Sequence, residues 1–82
     1  MGKKPRAKPR HLAVKLLSIR QRLEFSQFEM ARLLKHQMTT ARVSEYEHGT
    51  REPNLLVLLA YARAGDVSVE RLIDDHIDLY DS

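Results

Sequence analysis

The chain has 82 residues and no cysteine, which limits it to one small domain without disulfides or thiolate-bound metal, and a reducing, cytoplasmic setting is expected. No run approaches the roughly 20 apolar residues that span a bilayer, and Lys15 and Ser18 interrupt the apolar stretch after the basic N-terminus, so neither a membrane span nor a secretory signal is expected. Net charge is +3, but residues 1 to 65 hold thirteen of the fourteen Lys and Arg against five Glu, a net +8, whereas residues 66 to 82 carry a net −5; a positive field on part of a small domain favours polyanionic partners.

Residues 1–11 contain Lys3, Lys4, Arg6, Lys8 and Arg10 with Pro5 and Pro9, and no large apolar side chain after Met1. This composition predicts a flexible basic arm. The folded domain is expected over residues 12–75. From Leu12 to Leu23, Ala13, Leu16, Leu17 and Leu23 recur at helical spacing with Lys15, Gln21 and Arg22 between them, which predicts a first helix. Ser26-Gln27-Phe28-Glu29 has the form of a capping box, in which serine and glutamate each satisfy a backbone donor at a helix start. A second helix should follow to about Leu34, with Met30, Ala31, Leu33 and Leu34 facing the core and Phe25 stapling its entry.

Lys35 to Met38 has no apolar period. Thr39 can cap a third, short and polar helix that carries Val43 and Tyr46 at i, i+3 spacing and ends at Gly49, the residue best suited to a left-handed C-terminal position. Thr50 to Pro53 reads as a loop and Asn54 as the next cap. Leu55 to Ala62 is apolar throughout apart from the Tyr61 hydroxyl, which predicts a central helix covered on most sides. Gly65-Asp66 should break it. Ser68 can cap a fifth helix with Val69, Leu72, Ile73 and Ile77 as its apolar stripe, and residues 76–82 form an acidic tail. The class is all-α.

The second helix, its short connection and the polar third helix form a unit whose last member can project into a DNA major groove. That groove is about 12 Å wide and admits one helix, whose outer residues must be polar and short while its back stays apolar. Thr40, Ala41, Arg42, Ser44 and Glu45 alternate with Val43 and Tyr46 in this way.

The residues that carry a wider likeness are the Leu-x-x-x-Arg of the first helix, Ser26-Gln27 followed by Ala31 and Leu34, Val43-Ser44-x-Tyr46-Glu47-x-Gly49, Arg51-Glu52-Pro53 and the Leu-rich fourth helix. Over roughly Leu16 to Leu72 the chain resembles the phage-repressor and Cro-like helix-turn-helix family, often called the XRE family. The resemblance implies a compact five-helix lambda-repressor-like bundle and a sequence-specific, double-stranded DNA-binding transcriptional regulator of the repressor type. It places Thr40, Ala41 and Glu45 at base-reading positions, with Arg42 and Ser44 beside them. Thr and Ala methyls suit the thymine methyl, Glu accepts from cytosine N4, and Arg is bidentate to guanine. Gln27 at the start of the second helix, Thr39, His48 and Arg51 fall where phosphates are approached. Arg20 and Glu47 are implied to be a partly buried structural ion pair. One departure is that Gln27 to Glu47 is two residues longer than the family's usual spacing, the excess falling between Leu34 and Thr39. Either a longer turn or an added helical half-turn can absorb it.

A homodimer on two half-sites is expected, because one module offers limited contact area. A different class of function is a protein-interaction module, such as an antitoxin or anti-repressor, that grips a basic partner through Asp74, Asp75, Asp78 and Asp81. RNA binding is disfavoured for want of an aromatic stacking platform. The chain carries no phosphate-cradling glycine loop and no nucleophile with a base, and His11, His36, His48 and His76 lack metal-ligand spacing, so no enzyme, cofactor, metal site or small-molecule substrate is expected.

Overall fold

A computed structural model describes residues 9–35 and 37–80. Lys3, Lys4, Arg6 and Lys8 of the expected arm, His36 and Asp81 lie outside the described residues. The described residues form five helices and no strand: α1 (Leu12–Arg22), α2 (Gln27–Leu34), α3 (Thr40–His48), α4 (Leu55–Gly65) and α5 (Val69–Ile73). None of these helices is long and apolar enough to cross a membrane.

Local chemistry sets the helix ends. Ser26 Oγ accepts from the Glu29 amide (3.1 Å) while the Glu29 carboxylate accepts from the Ser26 amide (2.8 Å), so two backbone donors left free at the start of α2 are satisfied reciprocally. Thr39, Asn54 and Ser68 cap α3, α4 and α5 by the same side-chain-to-amide contact. Gly49 ends α3 at φ 76°, where a side chain would be strained. At the end of α4 the left-handed residue is Asp66 rather than Gly65. Gly65 has a packing reason instead, because a Cβ there would lie 2.9 Å from Cγ1 of the buried Ile19. It lets α4 approach α1 closely.

The core is assembled from Leu12, Leu16 and Ile19 of α1, Met30, Ala31 and Leu34 of α2, Val43 and Tyr46 of α3, Leu58, Tyr61 and Ala62 of α4, Leu72 of α5, and Leu79. α1 packs against α3, α4 and α5, while α2 packs against α3 and α4. The helix-turn-helix therefore rests on α1 and α4 as a platform. Residues 76–80, read as acidic tail, lie against this body through Leu79, and Tyr80 stacks under the Arg22 guanidinium at 3.9 Å.

Three expectations about helix faces are corrected. α4 is not covered on most sides: Leu55 and Leu56 are 80% and 77% exposed, because the fully buried stripe of the helix is only Leu58, Tyr61 and Ala62. In α1 the buried stripe is Leu12, Lys15, Leu16 and Ile19, which leaves Ala13, Leu17 and Leu23 half-buried. Leu33 and Ile73, assigned to the core, are largely exposed because Leu34 and Leu72 occupy the inward positions of their turns.

Lys15 stands out in that stripe. Its ammonium donates to the carbonyls of Arg71 (2.7 Å), Asp74 (2.9 Å) and Ile77 (2.9 Å). All three donors of the ammonium are thus used, which is how a buried lysine is tolerated. The contacts fasten the end of α5 and the following turn onto α1.

Candidate nucleic-acid interface

α3 has two chemically distinct sides. Val43 and Tyr46 are buried and brace it from behind, whereas Thr40, Ala41, Arg42 and His48 are exposed and Ser44 and Glu45 are half-exposed. Residues 40, 41, 44, 45 and 48 follow one another at i, i+1, i+4, i+5, i+8, which is one continuous face of a helix. Arg42 flanks that face. Burial pushes the Tyr46 phenol above its ordinary range, and the charges of Arg42 and Arg51 oppose this.

The turn between α2 and α3 shows how the two extra residues fit. α2 ends at Leu34, and Lys35 and Gln37 adopt φ of 59° and 61°, with the Met38 amide donating to the Lys35 carbonyl (3.2 Å). Positive φ is uncommon outside glycine. The excess is thus taken up by an irregular turn, not by added helix, and Thr39 still caps α3 through the Arg42 amide (3.0 Å).

Arg20 and Glu47 meet across 27 residues of sequence. The guanidinium grips the carboxylate at two points, Nε to Oε2 (2.6 Å) and Nη2 to Oε1 (3.0 Å), and Nη1 donates to the Phe25 carbonyl (2.8 Å). The side chains are 17% and 4% exposed. Hydrogen bonding to Glu47 raises the Arg20 pKa against the opposing effect of its burial, and the carboxylate's charge acts in the same raising direction. The pair ties α1 and the start of α2 to the last turn of α3. Burial pushes the Tyr61 phenol far above its ordinary range and the Glu47 charge adds to this, so the phenol stays neutral.

Gln27 belongs to the same network. Its Nε2 donates to Glu47 Oε1 at 3.0 Å, a contact for which the sequence offered no local signal. Glu45 and Arg51 likewise pair across the Gly49 turn, Nε to Oε1 at 3.0 Å, with both side chains about half exposed (45% and 49%). Thr50 closes this turn by donating its amide to the Glu45 carbonyl (3.0 Å). His48 Nδ1 donates to the Ser44 carbonyl (2.7 Å); since a carbonyl only accepts, that nitrogen carries the proton.

Arg10, the described member of the basic set, lines one groove together with Pro9, Leu12, Ala13, Tyr46, Gly49, Arg51, Glu52 and Pro53. It therefore stands near the end of α3, on the same side as Arg51. Asp75 was read only as part of an acidic cluster, yet its carboxylate reaches back to the amides of Arg10 (2.8 Å) and His11 (3.1 Å). A separation of 65 residues leaves no trace in local sequence.

A helix-turn-helix family model matches residues 16–72. Among solved structures, the P22 c2 repressor in complex with synthetic operator 9T in the presence of Tl+ is similar in fold. The TM-score is 0.69 at 22% identity, covering 78% of this chain and 94% of that one. No curated protein matches. With the family model spanning α2, α3 and the helices that support them, the chain belongs to the phage-repressor and Cro-like (XRE) family of helix-turn-helix proteins.

Proposed function

We propose that this protein is a sequence-specific double-stranded DNA-binding transcriptional repressor that inserts α3 with its cap Thr39 in the major groove. The observation that carries this reading is the two-sided character of α3: a polar face of short side chains points outward and is braced by Val43 and Tyr46. The fold likeness to a repressor solved on its operator supports it.

Thr40, Ala41 and Glu45 read base edges, with Arg42 and Ser44 at their flank. Phosphates are held by Gln27, Thr39, His48 and Arg51. Gln27 suits this role while bonded to Glu47, because an amide nitrogen has two hydrogens and Glu47 takes one. Its position at the positive end of α2 adds to the attraction. Thr39 accepts from the Arg42 amide through its oxygen, which leaves its hydroxyl hydrogen to donate. The working form is a cytoplasmic homodimer on two half-sites about one helical turn apart. Leu72 and Leu79 are spent in the core, so a second copy would pack on exposed apolar residues outside it, among which Leu55 and Leu56 are the most exposed.

The test is selection of bound sequences from random duplex DNA, followed by affinity measured against salt. A symmetric consensus is expected, with log affinity falling against log salt by about 0.9 for each phosphate neutralised. A protein that retains no duplex, or binds without salt dependence, would overturn the reading. Glu45 supplies a further expected result. Glu45→Gln releases Arg51 and removes a negative charge from the contact face, so affinity for random duplex should rise by about three- to tenfold while preference for the selected sequence narrows. Fluorescence anisotropy on both duplexes measures the two changes together.

A further inference from the structure

We infer that Asp75 is a positioning residue for DNA binding, which fixes the chain entering α1 so that Arg10, which Lys3, Lys4, Arg6 and Lys8 precede in sequence, is held at the phosphate-facing edge of the domain. This deepens the DNA-binding reading and rests on it.

The start of α1 lacks the usual local stabilisers. His11, the cap residue, makes no side-chain capping bond, and the first turn contains no acidic residue. The Asp75 carboxylate brings an acidic group there from the far end of the chain, accepting from the amides of the cap residue His11 at 3.1 Å and of Arg10 before it at 2.8 Å. A carboxylate at a helix start also meets the positive end of the helix dipole. These amides hold the Asp75 carboxyl below the usual carboxylate range: the Arg10 contact has the largest effect, burial opposes it, and the His11 contact and the charges of His11 and Lys15 assist. The segment bearing Asp75 is itself anchored, because Lys15 binds the carbonyls of Arg71, Asp74 and Ile77.

What this clamp fixes is a direction. Ala13 Cβ lies 3.7 Å from where a Cβ on Gly49 would be, so the start of α1 abuts the end of α3. Pro9 and Arg10 line the same groove as Gly49 and Arg51. Arg10 is thereby kept at the groove that Arg51 also lines, and Lys3, Lys4, Arg6 and Lys8 precede it in sequence.

The inference reverses the sign expected from charge. Removing a carboxylate from a DNA-binding protein raises its net charge and should strengthen binding. Asp75→Ala is expected instead to weaken affinity for every duplex about tenfold, comparable to deleting residues 2–8, with the two changes together little worse than either. Asp78→Ala, an equal change in charge on the same segment, should bind as wild type or slightly tighter. Amide exchange in the free protein supplies a readout without DNA: the Arg10 and His11 amides should be protected in wild type and exposed in Asp75→Ala, with the α2 and α3 amides unchanged.

The inference is overturned if wild type binds duplex and Asp75→Ala binds as Asp78→Ala does, or if the Asp75→Ala loss persists undiminished in the chain lacking residues 2–8. Unprotected Arg10 and His11 amides in wild type also overturn it. Failure of the DNA-binding reading looks different: wild type itself binds no duplex while the two amides remain protected.

Discussion

Glu47→Ala is expected to destabilise the domain by about 3 to 5 kcal/mol, the penalty typical of leaving one partner of a buried ion pair uncompensated. The substitution strands the Arg20 guanidinium, 17% exposed, and removes the acceptor of the Gln27 amide. Small domains are stable by about 5 to 15 kcal/mol, so this is a large fraction of the total. For a domain of this size it corresponds to a fall in Tm of at least about 12 °C. Urea or thermal unfolding followed by circular dichroism measures it. Arg20→Met with Glu47→Leu should recover much of the loss, because replacing both charges leaves neither unpaired. A single-variant loss below about 1 kcal/mol would show that the pair behaves as an exposed one. Any DNA-binding defect of Glu47→Ala therefore reports folding before it reports contact.

Ala41→Glu is expected to do the opposite, abolishing DNA binding while leaving the fold intact. Ala41 is exposed in the first turn of α3 and is not among its buried residues. A carboxylate near a helix N-terminus is neutral to stabilising, by about 0.3 to 1 kcal/mol. On the contact face it would meet phosphates and base acceptors, and like-charge juxtaposition at an interface costs several kcal/mol. The expected loss of affinity is at least about 100-fold, with Tm unchanged or slightly raised. Equal affinity for the selected duplex would place the DNA contact elsewhere and remove α3 from the proposed mechanism.

These two variants separate what the sequence makes legible from what it hides. Ser26, Thr39, Asn54 and Ser68 announce four helix starts, and Gly49 announces the end of α3, because a cap is satisfied by amides two or three residues away. The face of α3 is legible for the same reason: its alternation of Val43 and Tyr46 with short polar residues is a local period. A buried Lys15 was visible in principle, since Leu12, Lys15, Leu16 and Ile19 share one helical stripe. Charge argued against placing it inside, and only the three carbonyls of the distant turn reverse that judgement.

The fourth helix marks the limit of pattern reading. An unbroken apolar run says that burial is available, yet it does not say how far neighbouring helices reach, and Leu55 and Leu56 remain in solvent. The Glu45–Arg51 pair and the link from Gln27 to Glu47 were equally hidden, because residue types alone do not choose among several charged or amide partners.

By itself, then, the chain's amino-acid order determined the class, the five helices and the caps of four of them, the family, and the polar outer face of α3, all of which rest on interactions within about one helical turn or on motif spacing. Tertiary structure alone decided which apolar residues lie inside, how the two extra residues are absorbed at Lys35 and Gln37, and that Asp75 closes back on Arg10 and His11. The reason is physical: burial and the Asp75 closure depend on contacts between segments far apart in sequence, up to 65 residues for Asp75 and Arg10, which exist only once the helices have packed, while the turn at Lys35 and Gln37 is one of two local conformations the residue types leave open.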